Sequence, residues 1–209
     1  MKSILTNIVS QDPLHAMWLN TLSFMENAGA RKISACEDRE LTDLMQLKHA
    51  AEEHRHAYYL KKQIGKLDVS GFDHYLLNTM LGGRESMQYL HQLDLLTCRY
   101  LKNTFDLAGQ ELKYAAYLFV TYAIEVRADA LYPIYQEVLT EMGSKVMVKS
   151  IILEEEGHLE EMIGQLQHFH PDWQHHADHV IALEQQLFDR WVSALSKEVD
   201  QEILPARAN

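Results

Sequence analysis

The sequence predicts an all-α protein, and three of its features carry that expectation. Apolar residues recur at three- and four-residue steps over long stretches, the spacing of a single buried helix face. Those stretches are bounded by capping residues, Gly and Pro, with no succession of short turn signals between them. Finally, 9 Gly and 4 Pro against 47% apolar residues leave little material for a loop-rich β scaffold or a disordered chain. At 209 residues the chain is expected to form one domain over 1–209, with its core in about 14–169.

Asp12 is read as a cap and Pro13 as the first helical residue of a segment running from Leu14 to about Ile33. Its buried stripe is Trp18, Leu22, Met25, Gly29 and Ile33, and Glu26 falls on it. A second helix is expected from about Glu40 to Ile64, ended by Gly65, with Leu41, Met45, His49, Ala50, Glu53, His56, Ala57, Leu60 and Ile64 facing inward. Ser70 and Asp73 read as a capping pair for a short helix to Leu81, which Gly82-Gly83 breaks. The piece from Arg84 to about Lys102 then covers about 30 Å, roughly one bundle length.

The next helix, about Gln110 to Met142, is apolar nearly all round between Tyr114 and Ile124, so it should be the most deeply buried, with a kink at Pro133. Gly143 ends it. Ser144 is read as the cap of a helix with Met147, Val148, Ile151, Ile152, Leu159, Met162, Ile163 and Leu166 inward, stopped by Pro171. Asp172 opens an extra C-terminal helix, about 172–199, with Ile181, Leu187, Phe188, Trp191 and Leu195 inward.

Composition limits the partners. A formal charge of -11, spread along the chain, disfavours nucleic acid and an anionic membrane, and favours a small or apolar organic molecule. Two cysteines, Cys36 and Cys98, are too few for a four-thiolate site or an iron–sulfur cluster, so electrons for redox chemistry would come from an external donor protein. No apolar run approaches membrane-span or signal-peptide length, which makes a cytoplasmic protein the expectation; a homodimer is compatible with all of this.

The chemistry lies in two Glu-x-x-His pairs, Glu53-His54-Arg55-His56 and Glu155-Glu156-Gly157-His158. Three-residue spacing puts carboxylate and imidazole on one helix face, a turn apart, where both reach one metal ion. With 18 Glu and 12 His, roughly one such pair arises by chance, so the pairs alone are a weak signal. The stronger signal is a repeat. A lone Glu on an apolar stripe precedes each pair, Glu26 by 27 residues and Glu125 by 30. Two similar antiparallel hairpins, joined by a long helical crossover, would bring all six side chains together. Four carboxylates facing a dry core with no Lys or Arg on the same faces need cations, and a mixed carboxylate and imidazole set suits iron or manganese.

This set, one Glu from each of two helices and Glu-x-x-His from each of two others, resembles that of the ferritin-like di-iron carboxylate superfamily. It is most similar to the oxygen-activating branch: bacterial multicomponent monooxygenases, the ribonucleotide reductase small subunit and the aldehyde-deformylating oxygenases. The monooxygenase signature Asp-Glu-x-Arg-His is matched by Glu52-Glu53-His54-Arg55-His56 with Glu in the first place, and Glu154-Glu155-Glu156-Gly157-His158 keeps the leading acid but has Gly where Arg would stand. The resemblance implies a ferritin-like four-helix bundle binding two Fe ions, with Mn or a mixed Fe/Mn pair open to it, and O₂ as co-substrate. The ligands it implies are Glu26, Glu53, His56, Glu125, Glu155 and His158. Glu52 and Glu154 would hold the ligand histidines by hydrogen bonds, with Arg55 beside them; Asp129, one turn after Glu125, is expected either to join them or to face solvent. The position of the reductase's radical Tyr is Leu60 here, so that role does not carry over.

Leu22, Gly29, Leu118 and Tyr122 are expected to line a substrate cavity, and His49 to be a core histidine. His170, His175, His176 and His179 are expected at the solvated surface. The implied function is a di-iron oxidase or oxygenase acting on a small or apolar organic substrate. The alternative is a ferroxidase, an iron-storage protein or a peroxide scavenger like ferritin or rubrerythrin.

Overall fold

The computed structural model describes residues 1–206, side chains excepted at 156 and 203–206; of the expected unit over 1–209, residues 207–209 lie outside the described residues. The described residues are all-helical. Seven helices follow one another: α1 (Lys2–Val9), α2 (Asp12–Cys36), α3 (Leu44–Ile64), α4 (Gly83–Phe105), α5 (Gly109–Glu141), α6 (Lys149–Phe169) and α7 (Trp173–Ala206). None is long and apolar enough to cross a membrane.

The helices pair as the repeat requires. Ser23 of α2 donates to the carbonyl of Ala57 on α3, and Gln46 of α3 donates back to Ile33, so these two run antiparallel. Phe119 packs edge-on against Phe169 while His158 reaches Glu125 further along, so α5 and α6 do the same. α4 returns the chain along the bundle against α5 and α7. α7 is seated by Trp191, whose indole stacks between Trp18 of α2 and Tyr89 of α4 and donates to Ser86 at 2.8 Å.

Several local expectations are corrected. Residues Lys2–Val9 form a helix that buries Leu5, Ile8 and Val9. Asp12 does not cap α2: Gln11 holds that position, and the Asp12 carboxylate accepts from the backbone of Asp68. α3 begins at Leu44 because Asp43, not a residue near Glu40, accepts from the exposed amides of Met45 and Gln46; Leu41 is left exposed. The short helix expected from Ser70 to Leu81 is irregular chain with one 3₁₀ turn, Leu77–Thr79. Side chains of α2 and α3 claim its carbonyls: Asn20 donates to His74 and Thr79, and Lys61 to Phe72 and His74, so no helical ladder forms.

Ser144 does not cap α6. Val148 holds the capping position without a side-chain bond, and the two amides just before the helix are held from a distance, Val148 by Gln136 at 2.8 Å and Met147 by Gln63 at 3.1 Å; the Met147 side chain is exposed. α5 runs unbroken through Pro133. α4 starts at a left-handed Gly82 (φ 58°), where a Cβ would meet the Leu195 side chain at 2.7 Å, so this turn requires glycine on both counts.

Glu184 of α7, 2% exposed, accepts both arms of the Arg127 guanidinium (2.8 and 2.7 Å) and the Tyr89 hydroxyl (2.6 Å), which ties α7 to α5 and α4. Arg127→Met would leave that carboxylate buried without its cation and is expected to cost about 3 kcal/mol or more. A lowered urea midpoint with unchanged slope checks this; a midpoint equal to that of the parent chain would show the pair to be dispensable.

Candidate metal centre

Each predicted ligand sits where its helix faces the interior. α2 brings Glu26, α3 Glu53 and His56, α5 Glu125, and α6 Glu155 and His158. Glu53, His56, Glu125, Glu155 and His158 are buried, while Glu26 keeps some accessible surface because it opens on a cavity. Their donor atoms converge in two groups, Glu26, Glu53, His56 and Glu155, and Glu53, Glu125, Glu155 and His158, with all donors of a group within 4.8 Å of one another. Glu53 and Glu155 belong to both, so they stand between two points, each with its own outer carboxylate and imidazole.

The spacing suits metal ions. Donors about 2.1 Å from one ion lie about 3 Å apart at right angles and about 4.2 Å apart across it. His158 Nδ1 is 3.3 Å from Glu155 Oε2, 3.6 Å from Glu53 Oε1 and 3.7 Å from Glu125 Oε1. His56 Nδ1 is 3.1 Å from Glu155 Oε1 and 3.7 Å from Glu53 Oε2. Although it is buried, His56 Nδ1 makes no aligned hydrogen bond among the described residues, as expected of a lone pair directed at a shared centre and not at one partner. The carboxylate and imidazole set is one that could hold a metal ion.

The outer nitrogens are held crosswise. His56 Nε2 meets Glu154 Oε2 at 2.8 Å, and His158 Nε2 meets Glu52 Oε2 at 2.8 Å, each carboxylate coming from the opposite helix. A proton on Nε2 leaves the Nδ1 lone pair pointing inward, and the negative partner raises the basicity of that nitrogen. Arg55 spans the two acids, at 2.6 Å from Glu154 and 3.5 Å from Glu52. One arginine thus serves both halves of the repeat.

Burial and neighbouring charges set the electrostatics of the cluster. Burial pushes the Glu26 carboxyl well above its usual range, helped by the charge on Glu53; burial and the charge on Glu155 do the same to Glu125. Burial opposes charge on His56, yet the neighbouring Glu155 and Glu53 outweigh it and push the imidazole up to about 12. His158 is raised to about 9 in the same way, chiefly by Glu155. The Glu155 carboxyl is held low in spite of its burial, by Glu125 and the two imidazoles. Of the four carboxylates, Glu26 and Glu125 retain protons, as do both imidazoles, because among the described residues no Lys or Arg reaches them. Cations would displace those protons.

An apolar cavity of about 280 Å³ lies over the Glu26 and Glu125 side of the cluster, between α2, α4 and α5, with Glu53 and Glu155 at its floor. Leu22, Ile33, Val120, Ile124 and Ala128 wall it, and the half-exposed pair Lys32 and Asp94 (2.8 Å) stands at its edge. Leu22 and Gly29 line it as expected. Leu118 and Tyr122 do not: Leu118 is fully buried in the core, and Tyr122 packs edge-on against Trp173 of α7. The cavity face of α5 is instead Thr121, Ala128 and Tyr132, at steps of minus four, plus three and plus seven from Glu125.

Asp129 is exposed and plays no part at the cluster, because α5 turns it to solvent. His49 is a core histidine held between the Tyr117 hydroxyl (2.9 Å) and Glu161 (3.0 Å). Of the four C-terminal histidines, His170, His176 and His179 gather around Tyr100 and Phe105 and His175 lies beside His176; among the described residues they form no convergent donor group. Sequence reading missed Tyr132, whose hydroxyl donates to Glu26 Oε1. Its heptad step from Glu125 was the available signal.

Comparison with protein-family models finds no match, and comparisons with curated proteins and with solved structures find none either.

At neutral pH, uptake of divalent ions is expected to release the Nδ1 protons of His56 and His158, both raised above 7, and to weaken as pH falls because proton and ion compete for one lone pair. Anaerobic calorimetry in buffers of different ionisation enthalpy counts the protons. Release of fewer than two per loaded chain would mean that the imidazoles are not ligands.

Proposed function

We propose that this chain is a ferritin-like di-iron protein that uses O₂ to oxidise a small or apolar organic molecule. The observation that carries the reading is the two donor groups sharing Glu53 and Glu155 beneath an apolar cavity. In it, Glu53 and Glu155 would be shared by two ions, Glu26 and His56 would complete the donors of one, and Glu125 and His158 those of the other. Two iron ions so held would supply the electrons and the Lewis acidity for O₂ reduction.

The protein's own contribution is positioning and exclusion. Glu52 and Glu154 fix the imidazole orientations, and Arg55 pairs with both acids. The walls of the cavity exclude water from the reacting centre and select an apolar substrate. At about 30 Å³ for a water-sized group, the cavity takes about ten heavy atoms, the size of one aromatic ring with a short substituent or of a medium alkyl chain. Cys36 and Cys98 are free thiols, so reducing equivalents would arrive from a separate donor protein. A cavity of this size favours an organic substrate over storage or peroxide scavenging, neither of which uses one.

Anaerobic Fe(II) titration is expected to saturate near two ions per chain, with O₂ then consumed as Fe(II) is lost; a chain that takes up no iron would end the proposal. Gly29 lines the cavity, and a Cβ built there meets nothing within 4 Å. Gly29→Phe should therefore fold and bind metal while losing affinity for apolar ligands by tenfold or more. Undiminished ligand binding would move the substrate elsewhere.

A further inference from the structure

The two halves of the cluster carry their ligands in the same order, yet their surroundings differ at one point. Seven residues beyond Glu125 on α5 stands Tyr132; seven residues beyond Glu26 on α2 stands Ile33. Tyr132 is 3% exposed, lines the cavity, and donates its phenolic proton to Glu26 Oε1. Ile33 occupies the matching register position, is 4% exposed and has no hydroxyl to give. Among the described residues, no hydroxyl donates to Glu125.

We propose that Tyr132 makes the two metal positions unequal, so that the position of Glu125 and His158 fills first and that of Glu26 and His56 second and more weakly. This rests on the di-metal reading above. A carboxylate offers two oxygens to an ion, and a hydrogen-bond donor on one of them takes a lone pair and withdraws electron density, which weakens that oxygen as a ligand. Glu26 would therefore bind an ion chiefly through its other oxygen, while Glu125 can offer both. An ion beside Glu26 would thus have one strong donor fewer. Tyr132 is a positioning residue in this scheme: it acts through Glu26 and touches no ion.

The inequality has a second source of support. Near the Glu125 side the packing is closed by His49, whose ring lies 4.9 Å from that of His158 and whose Nδ1 meets the Tyr117 hydroxyl. Glu26 and Glu125 both line the cavity, but Glu26 retains accessible surface while Glu125 is 3% exposed. The more enclosed position with the unencumbered carboxylate is the tighter one, and the more open position is where an exogenous ligand would have room.

Co(II) titration of the full-length chain under anaerobic conditions, followed by calorimetry and by visible absorption, tests this. The parent chain is expected to bind in two resolved steps. Glu26→Ala should remove the weaker step and leave the tighter one. Tyr132→Phe should tighten the weaker step by about tenfold, and lower the intensity of the visible Co(II) band as the freed oxygen raises the coordination number. A merely structural role for Tyr132 would weaken both steps together and leave the band unchanged, and that result overturns the proposal. So would two equal steps in the parent chain, or loss of the tighter step in Glu26→Ala, which folds or fails independently of Tyr132. If the parent chain takes up no Co(II) at all, the di-metal reading itself falls; two ions bound without the expected inequality would overturn the role of Tyr132 alone.

Discussion

Four carboxylates drawn into one dry volume are the constraint around which this protein is built. Each would cost several kcal/mol to bury as an isolated anion, and the usual remedy, a Lys or Arg on the facing helix, is absent among the described residues from the faces that carry Glu26, Glu53, Glu125 and Glu155. Protons on His56, His158, Glu26 and Glu125 fill the deficit in the bare cluster. That substitution explains why both imidazoles are shifted upward although burial alone would lower them. It also makes the cluster a place where cation binding and proton release are one event.

The same chain shows the opposite remedy a short distance away. Glu184 is as deeply buried as the ligands and also sits on an apolar stripe, between Val180 and Leu187, but Arg127 reaches it with both arms. An acid on an apolar stripe therefore signals a buried partner, and only the availability of a protein cation tells whether that partner is a side chain or an ion. This is why the convergence of Glu26, Glu53, His56, Glu125, Glu155 and His158 was legible in the sequence while Glu184 was not. The six form a repeated pattern within two hairpins. The partner of Glu184 lies 57 residues away on another helix, with no pattern to announce it.

What else stayed hidden follows the same logic. On α5 the residues from Ala115 to Phe119 are buried on every side, so periodicity could not distinguish the cavity face from the faces packed on α6 and α7. Leu118 and Tyr122 were expected on the cavity and point elsewhere, while Tyr132, outside the uniformly apolar stretch, was overlooked. The chain between α3 and α4 reads locally as helix but is decided by Asn20 and Lys61, which take its carbonyls from other elements. Tertiary hydrogen bonds of that kind leave no trace in local spacing.

The helices divide the work of the site between two sides. α3 and α6 supply the shared carboxylates and both imidazoles, and they clasp each other through the crosswise pairs of His56 with Glu154 and His158 with Glu52, so rigidity is concentrated there. α2 and α5 supply only one carboxylate each and are otherwise free to present small or apolar side chains, which is where the cavity forms. A four-helix arrangement alone would leave that cavity open between α2 and α5. α4 closes it with Tyr89, Leu90 and Asp94, and α7 holds α4 in place through Trp191 and Glu184. The long connection between the two hairpins, which looked from the sequence like a means of returning the chain, is thus also the outer wall of the chamber above the cluster.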